Sequence, residues 1–175
     1  MSERAGKGAD WVALLGTKGG PAIRPGSTMP TSSLLSLGGA RIVVDCGLGV
    51  TRGIVDQGMA LADLRHIFIT HLHSDHYLEL GPLLHTAWTA GLKSKVEVWG
   101  PKGLADYWDA FLLSMKADID LRIEDEGRPD LRGLLAIHEI EEGEVCEIEG
   151  IRVSAQRNIH PPLIDTFSLR FEGAG

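Results

Sequence analysis

Ile69-Thr70-His71-Leu72-His73-Ser74-Asp75-His76-Tyr77 is the stretch that decides how this chain is read. Three imidazoles and a carboxylate fall within six residues, directly after the apolar run Ile67-Phe68-Ile69. The cluster therefore sits where a buried strand gives way to a loop, which is where α/β proteins place their chemistry. His71 and His73 are two apart, so on extended backbone they point the same way and can hold one metal ion. Asp75 and His76 are left to turn toward a second. The ligand types suit zinc, with manganese, iron or cobalt as alternatives. A single histidine is usually a surface residue or a satisfied core residue. Four such groups in the pattern H-x-H-x-D-H have no good packing explanation, because a carboxylate and three imidazoles crowded together are hard to satisfy without a cation.

Upstream of the cluster, Leu64 to Ile69 reads as the strand that delivers it. Val50 to Gln57 has helical spacing at Val50, Ile54 and Val55 and is stopped by Gly58; a short turn through Leu61 to Asp63 follows. Leu34, Leu35 and Leu37 on one side of Gly38-Gly39, and Arg41 to Asp45 on the other, read as a hairpin. A first strand, Trp11 to Leu15, ends in Gly16-Thr17. Between it and the hairpin lies Lys18 to Ser33, rich in Gly, Pro, Ser and Thr, a loop long enough to be either disordered or functional.

Downstream, Pro82 sits at a helix start, Leu83, Leu84, Ala87 and Trp88 share a face, and Gly91 ends the helix. Val96 to Trp99 is a short strand. The clearest helix then carries Leu104, Tyr107, Trp108, Phe111, Leu112 and Met115 at three- and four-residue steps, a core stripe rather than a cofactor box. Asp118 to Gly133, acidic and broken by Gly-Arg-Pro, reads as a solvated surface excursion. Leu134 to Ile140, Val145 to Ile148 and Ile151 to Arg157 read as successive strands, and Thr166 to Glu172 as another. His66, His85 and His138 are assigned to packing or surface, and Glu79 at most to support of the metal loop. His160, ahead of Pro161-Pro162, is held stiffly, because proline restricts the residue before it. Taken alone it is as often a turn residue as a ligand.

A chain of 175 residues, 43% hydrophobic, has room for one cored domain and not for two large ones. Its net charge of −7 weighs against a surface that binds nucleic acid generally, although a local basic rim on an acidic protein can still hold a phosphate chain. Cys46 and Cys146, far apart, read as reduced thiols filling small apolar sites, which fits the cytoplasm. Met1 to Asp10 lack an apolar core, and no apolar run approaches membrane-spanning length. The expectation is a soluble, unsecreted protein without a membrane partner.

The histidine pattern resembles the signature of the metallo-β-lactamase superfamily. With both Asp75 and His76 present, it resembles the dinuclear hydrolase branch that includes ribonuclease Z and related phosphodiesterases and arylsulfatases. The likeness runs from the first strand, ending in Leu15-Gly16-Thr17, through a hairpin ending in Asp45-Cys46-Gly47, to Phe171. It implies an α/β fold (α+β in other schemes): the αββα sandwich, two sheets with helices outside. Residues 1–175 would form a single domain supplying about the first half of it, incomplete at the C-terminus.

The resemblance also implies roles. His160 becomes the third ligand of a first ion beside His71 and His73. Asp75 and His76 serve a second ion, with zinc at both positions, or manganese or iron. Asp45 supports the metal loop from behind its ligands, a simple turn or helix-capping aspartate being the plainer alternative. Asp75 is the catalytic group that orients or deprotonates the attacking water. The family's bridging aspartate and last histidine would lie beyond His160; Asp165-Thr166 is too close to it and lacks the turn glycine. The implied activity is a metal-dependent hydrolase using a metal-bound hydroxide, on a phosphodiester or related ester, whether a small molecule or RNA. An arylsulfatase, lactonase or thioesterase of the same fold is the alternative, as is a non-catalytic half-domain serving as a binding or assembly subunit. Half a sandwich exposes an apolar sheet face, so a homo-oligomer or a complementing C-terminal segment is expected.

Overall fold

Gly38 and Gly39 turn the chain between Ser32–Leu37 (β2) and Ala40–Val44 (β3) with φ of 53° and 96°, the positive values that a two-residue hairpin turn requires. The computed structural model describes residues 9–160 and 164–173. The hairpin is flanked by Trp11–Gly16 (β1), antiparallel to β2, and by His66–Phe68 (β4), parallel to β3. Val96–Gly100 (β5) and Leu135–Glu139 (β6) continue in parallel, so one six-stranded sheet runs β1 to β6 in chain order. Gly143–Ile148 (β7), Ile151–Arg157 (β8) and Phe167–Gly173 (β9) form a second, antiparallel sheet. The helices are Val50–Asp56 (α1), Ser74–Tyr77 (α2), Leu80–Thr89 (α3), Leu104–Ser114 (α4) and Lys116–Glu126 (α5).

Strand alternation sorts the apolar residues onto two faces of the larger sheet. Val43, Ile67, Val96 and Val98 join the core under the helices, with Val50 and Ile54 of α1, Leu83, Leu84, Ala87 and Trp88 of α3, and Leu104 and Trp108 of α4. Ile42, Phe68 and Trp99 face the other way, onto Ile148, Ile151, Val153 and Phe167 of the smaller sheet. Phe68 and Trp99 stack at 4.7 Å and Phe171 meets Phe68 edge-on at 5.2 Å, so aromatic packing fixes the sheet-on-sheet contact. The layers are helices, six-stranded sheet and three-stranded sheet.

Three features differ from the sequence reading. Lys116–Glu126 is a helix, where a solvated excursion was expected over Asp118 to Gly133. Ile119 is fully buried and Ile123 packs on the same core, while Lys116–Asp120, Asp118–Arg122 and Arg122–Glu126 pair one turn apart. Gly127, with φ of 63°, ends it. Second, the successive strands read over Leu134 to Ile140 and Val145 to Ile148 do not continue one sheet but lie in two, because the chain crosses over at Ile140 to Glu142. Third, the bare apolar face is narrower than half a sandwich suggested. The outward side of β8 and β9 is polar, through Arg152, Gln156, Ser168 and Arg170. What stays open is the inter-sheet face of β1, where Val12 and Leu14 are 58% and 68% exposed beside Leu35. No helix among the described residues is long and apolar enough to cross a membrane.

Candidate metal centre

β1, β3 and β4 run in one direction, so the segments that leave their C-terminal ends gather on one rim. From β1 comes the Gly19-Gly20-Pro21 turn, from β3 Asp45, and from β4 the stretch Thr70 to His76. The end of β8 brings His160 to the same place. The smaller sheet is tied there directly by the Phe167 N–H, which donates to Thr70 O at 3.0 Å, and the Asn158 N–H to Thr166 O bond at 2.8 Å holds the ends of β8 and β9 together beside it. Together these segments line a cleft of about 450 Å³ bounded by His71, His73, Asp75, His76 and His160.

Within it, ligand-capable nitrogens of His71, His73 and His160 all lie within 4.8 Å of one another. His71 Nε2 and His73 Nδ1 are 3.2 Å apart, close to the roughly 3.3 Å that separates two nitrogens held tetrahedrally at about 2.0–2.1 Å from one zinc ion. The His160 ring centroid lies 4.8 Å from those of both rings, tilted against His71 and edge-on to His73. Beside this trio, His76 Nε2 is 3.6 Å from Asp75 Oδ2. The donor set, three imidazoles next to a fourth imidazole and a carboxylate, suits a borderline-soft divalent cation.

Asp45 organises the floor. It holds φ of 62°, which aspartate tolerates better than most residues. Its Oδ1 accepts from the Thr70 N–H at 2.8 Å, and its Oδ2 faces His76 Nδ1 at 2.7 Å. A proton on His76 Nδ1 leaves the Nε2 lone pair free toward the cleft. Gly47 follows because nothing larger fits: a Cβ there would lie 2.4 Å from Asp75 O and 2.7 Å from Thr31 O. The Cys46 N–H to His76 O and Glu79 N–H to Cys46 O bonds clamp the Asp45-Cys46-Gly47 turn to α2. The Cys46 thiol is pushed well up by burial and then by Asp45 and Glu79, which keeps it protonated and inert.

The histidines diverge electrostatically. His71 is lowered to about 4, first by burial and then by His76, His73 and His160 around it, so near neutral pH it is an uncharged imidazole with a lone pair to offer. Burial alone would lower His76 as well, but the hydrogen bond and charge of Asp45 and the charge of Asp75 outweigh it and the net shift is upward. A cation in the cleft would replace the proton that these carboxylates favour.

Outside the cleft, His85 meets Asp118 at 2.8 Å, His138 meets Glu97 at 2.6 Å and His66 meets Glu149 at 3.1 Å. Asp165 pairs with Arg157. Pro161 and Pro162, read as stiffening His160, lie outside the described residues. Two features had no sequence signal. The Gly20 N–H donates to Asp75 Oδ2 at 2.6 Å across 55 positions of chain. Glu79 accepts from the N–H groups of Gly49 and Thr51 at 2.5 and 2.9 Å, capping α1.

Residues 12–174 match the protein family described as Anti-Pycsar protein Apyc1. Among curated proteins, the chain is similar to ribonuclease Z of Mycobacterium marinum (strain ATCC BAA-535 / M), 34% identical over 168 residues, covering 93% of this chain and 60% of the relative. It is also similar to ribonuclease Z of Mycobacterium sp. (strain KMS), 35% identical, covering 93% and 57%. The chain thus spans less than two thirds of the length of these relatives. Among solved structures, the fold is similar to human tRNase Z, short form, with a TM-score of 0.64 at 23% identity, covering 94% of this chain and 65% of that one. It is similar too to a diphosphatase from the PhnP family (TM-score 0.65, 14% identity, 93% and 62% covered). A third is the metallo-β-lactamase fold protein YhfI from Bacillus subtilis (0.63, 18%, 92% and 58%).

Proposed function

Because the chain belongs to the family described as Anti-Pycsar protein Apyc1 and has part of the metallo-β-lactamase fold, we propose that it is the metal-binding part of a hydrolase acting on phosphodiesters or related esters. The observation that carries this reading is the meeting of His71, His73 and His160 ring nitrogens from two elements far apart in the chain. Those three hold one divalent ion, zinc or an equivalent such as manganese or iron, and Asp75 with His76 holds a second. Bound there, the ions supply charge that lowers the pKa of a coordinated water toward about 7 and offsets charge building on the substrate oxygens.

The chain's own residues do the rest. Asp45 keeps the proton of His76 on Nδ1, and burial keeps His71 neutral. Asp75, 6% exposed, orients the attacking water or takes its proton. Relatives named ribonuclease Z support RNA as one substrate class and a phosphodiester bond as the point of attack; small-molecule esters suit the same cleft. Two free cysteines and ribonuclease Z relatives favour the cytoplasm. Val12 and Leu14 mark where a second copy or a complementing segment completes the sandwich.

The test is elemental analysis together with turnover of bis(p-nitrophenyl) phosphate by the full protein. Zinc or an equivalent should co-purify. His71→Ala with His73→Ala should abolish it, and His160→Ala should weaken it by more than the roughly 10- to 100-fold that loss of a supporting contact costs, while His85→Ala leaves it unchanged. Asp75→Asn should keep the first ion and lose turnover. Equal metal affinity for the wild type and His160→Ala would sink the long-range site, and metal bound without turnover would favour a non-catalytic assembly subunit.

A further inference from the structure

A single peptide group joins a lysine to the cleft. In a trans peptide the carbonyl oxygen and the N–H point in opposite directions, and the unit between Gly19 and Gly20 uses both ends. Its oxygen accepts from Lys18 Nζ at 3.0 Å and its N–H donates to Asp75 Oδ2 at 2.6 Å. Lys18 Nζ also donates to Gly20 O at 3.0 Å, so the ammonium closes around the turn. The base of the loop is anchored separately: the Lys18 N–H donates to Met29 O at 3.0 Å, and Thr31 Oγ1 to Lys18 O at 3.3 Å. Gly20 is held at φ of 85°, open to glycine and strained for other residues.

A lysine folded onto nearby carbonyls is common in surface turns and by itself means little. Here the far end of the same peptide lands on a buried carboxylate, whose one ion-pair contact among the described residues is His76 at 3.6 Å. A cation on the carbonyl polarises the peptide and strengthens donation from its N–H. We propose that Lys18 is a positioning residue for Asp75: its ammonium, acting through the Gly19–Gly20 peptide, fixes the Asp75 carboxylate at the cleft. This deepens the metal-site reading above, and rests on it for the consequence though not for the bridge.

The experiment uses the full chain, uniformly labelled with 15N, as wild type, Lys18→Met, Lys18→Arg, Asp75→Asn and the Lys18→Met/Asp75→Asn pair. In metal-free protein the Gly20 amide proton should resonate far downfield. Lys18→Met should move it upfield and speed its exchange roughly 2- to 10-fold, the factor set by one hydrogen bond, and Lys18→Arg, which keeps a cation, should restore most of the shift. Titrated with Zn²⁺, Lys18→Met should weaken the second binding event by about 10-fold, as loss of a supporting contact does, and should have no further effect once Asp75 is Asn. An unmoved Gly20 amide in Lys18→Met overturns the proposal, and so does a zinc-affinity loss of equal size with and without the Asp75 carboxylate. Two-ion binding by Asp75→Asn as tight as wild type would instead sink the metal-site reading, with the bridge still judged on the Gly20 amide.

Discussion

Asp45 concentrates several bonds on one short side chain, since it accepts from the Thr70 backbone and hydroxyl and from His76. Asp45→Ala should therefore strand the Thr70 N–H, costing about 1–3 kcal/mol, and let His76 rotate, costing about 10- to 100-fold in metal affinity. Urea denaturation and zinc titration on the same variant separate the two losses. A drop in stability with metal binding intact would mean that Asp45 is only a turn residue. Gly47 makes a purely steric claim. Its substitution by Ala drives a Cβ into backbone oxygens from two separate segments, Asp75 O of α2 and Thr31 O of the loop between β1 and β2, and neither is the tip of a flexible side chain. Gly47→Ala should cost about 3 kcal/mol or more. Gly133, with nothing within 4 Å of a built Cβ, is the control, and Gly133→Ala should stay within about 1 kcal/mol of wild type. Similar denaturation midpoints for the two variants would contradict the packing described.

α1 shows how an element can depend on a residue outside it. It spans Val50–Asp56, has no acidic residue in its first turn and receives no side-chain cap from Gly49. Glu79, at the start of α3, supplies both the acceptor and the negative charge at that N-terminus. Glu79→Ala should cost about 1–2 kcal/mol, the size of a lost N-cap, and Glu79→Gln less, because one amide oxygen still accepts. Hydrogen exchange would locate the loss: the amides of Gly49 and Thr51 should lose protection first, and uniform loosening elsewhere would argue against a cap. α5 carries the complementary lesson. Its acidic composition hid an amphipathic pattern that only Ile119 and Ile123 reveal, while its charge pairs at one-turn spacing look like a solvated tract until they are counted as helix neighbours.

At the scale of the molecule, the exposed Val12 and Leu14 on the inter-sheet face of β1 predict association. Light scattering at high concentration should find more than a monomer for this chain, and Val12→Lys with Leu14→Lys should reduce it to one with little change in melting temperature, since neither side chain belongs to a described core. A well-folded monomer at every concentration would contradict this. The sequence by itself determined the parts whose information is local. Period-two and period-four spacing marked most strands, the core stripe of α4 and the Gly38-Gly39 hairpin, and the strand-then-loop setting of His71 to His76 marked a candidate metal loop, because backbone geometry over a few residues decides each of them. His160 was legible through family resemblance and not through spacing. Only the tertiary structure decided that β6 and β7 part into different sheets, that the Gly20 N–H reaches Asp75, that Glu79 caps α1, and that His160 stands beside His71. Each of those contacts joins residues far apart in the chain, and they meet only once sheet packing and strand direction bring four loops to one rim, which no window of sequence encodes.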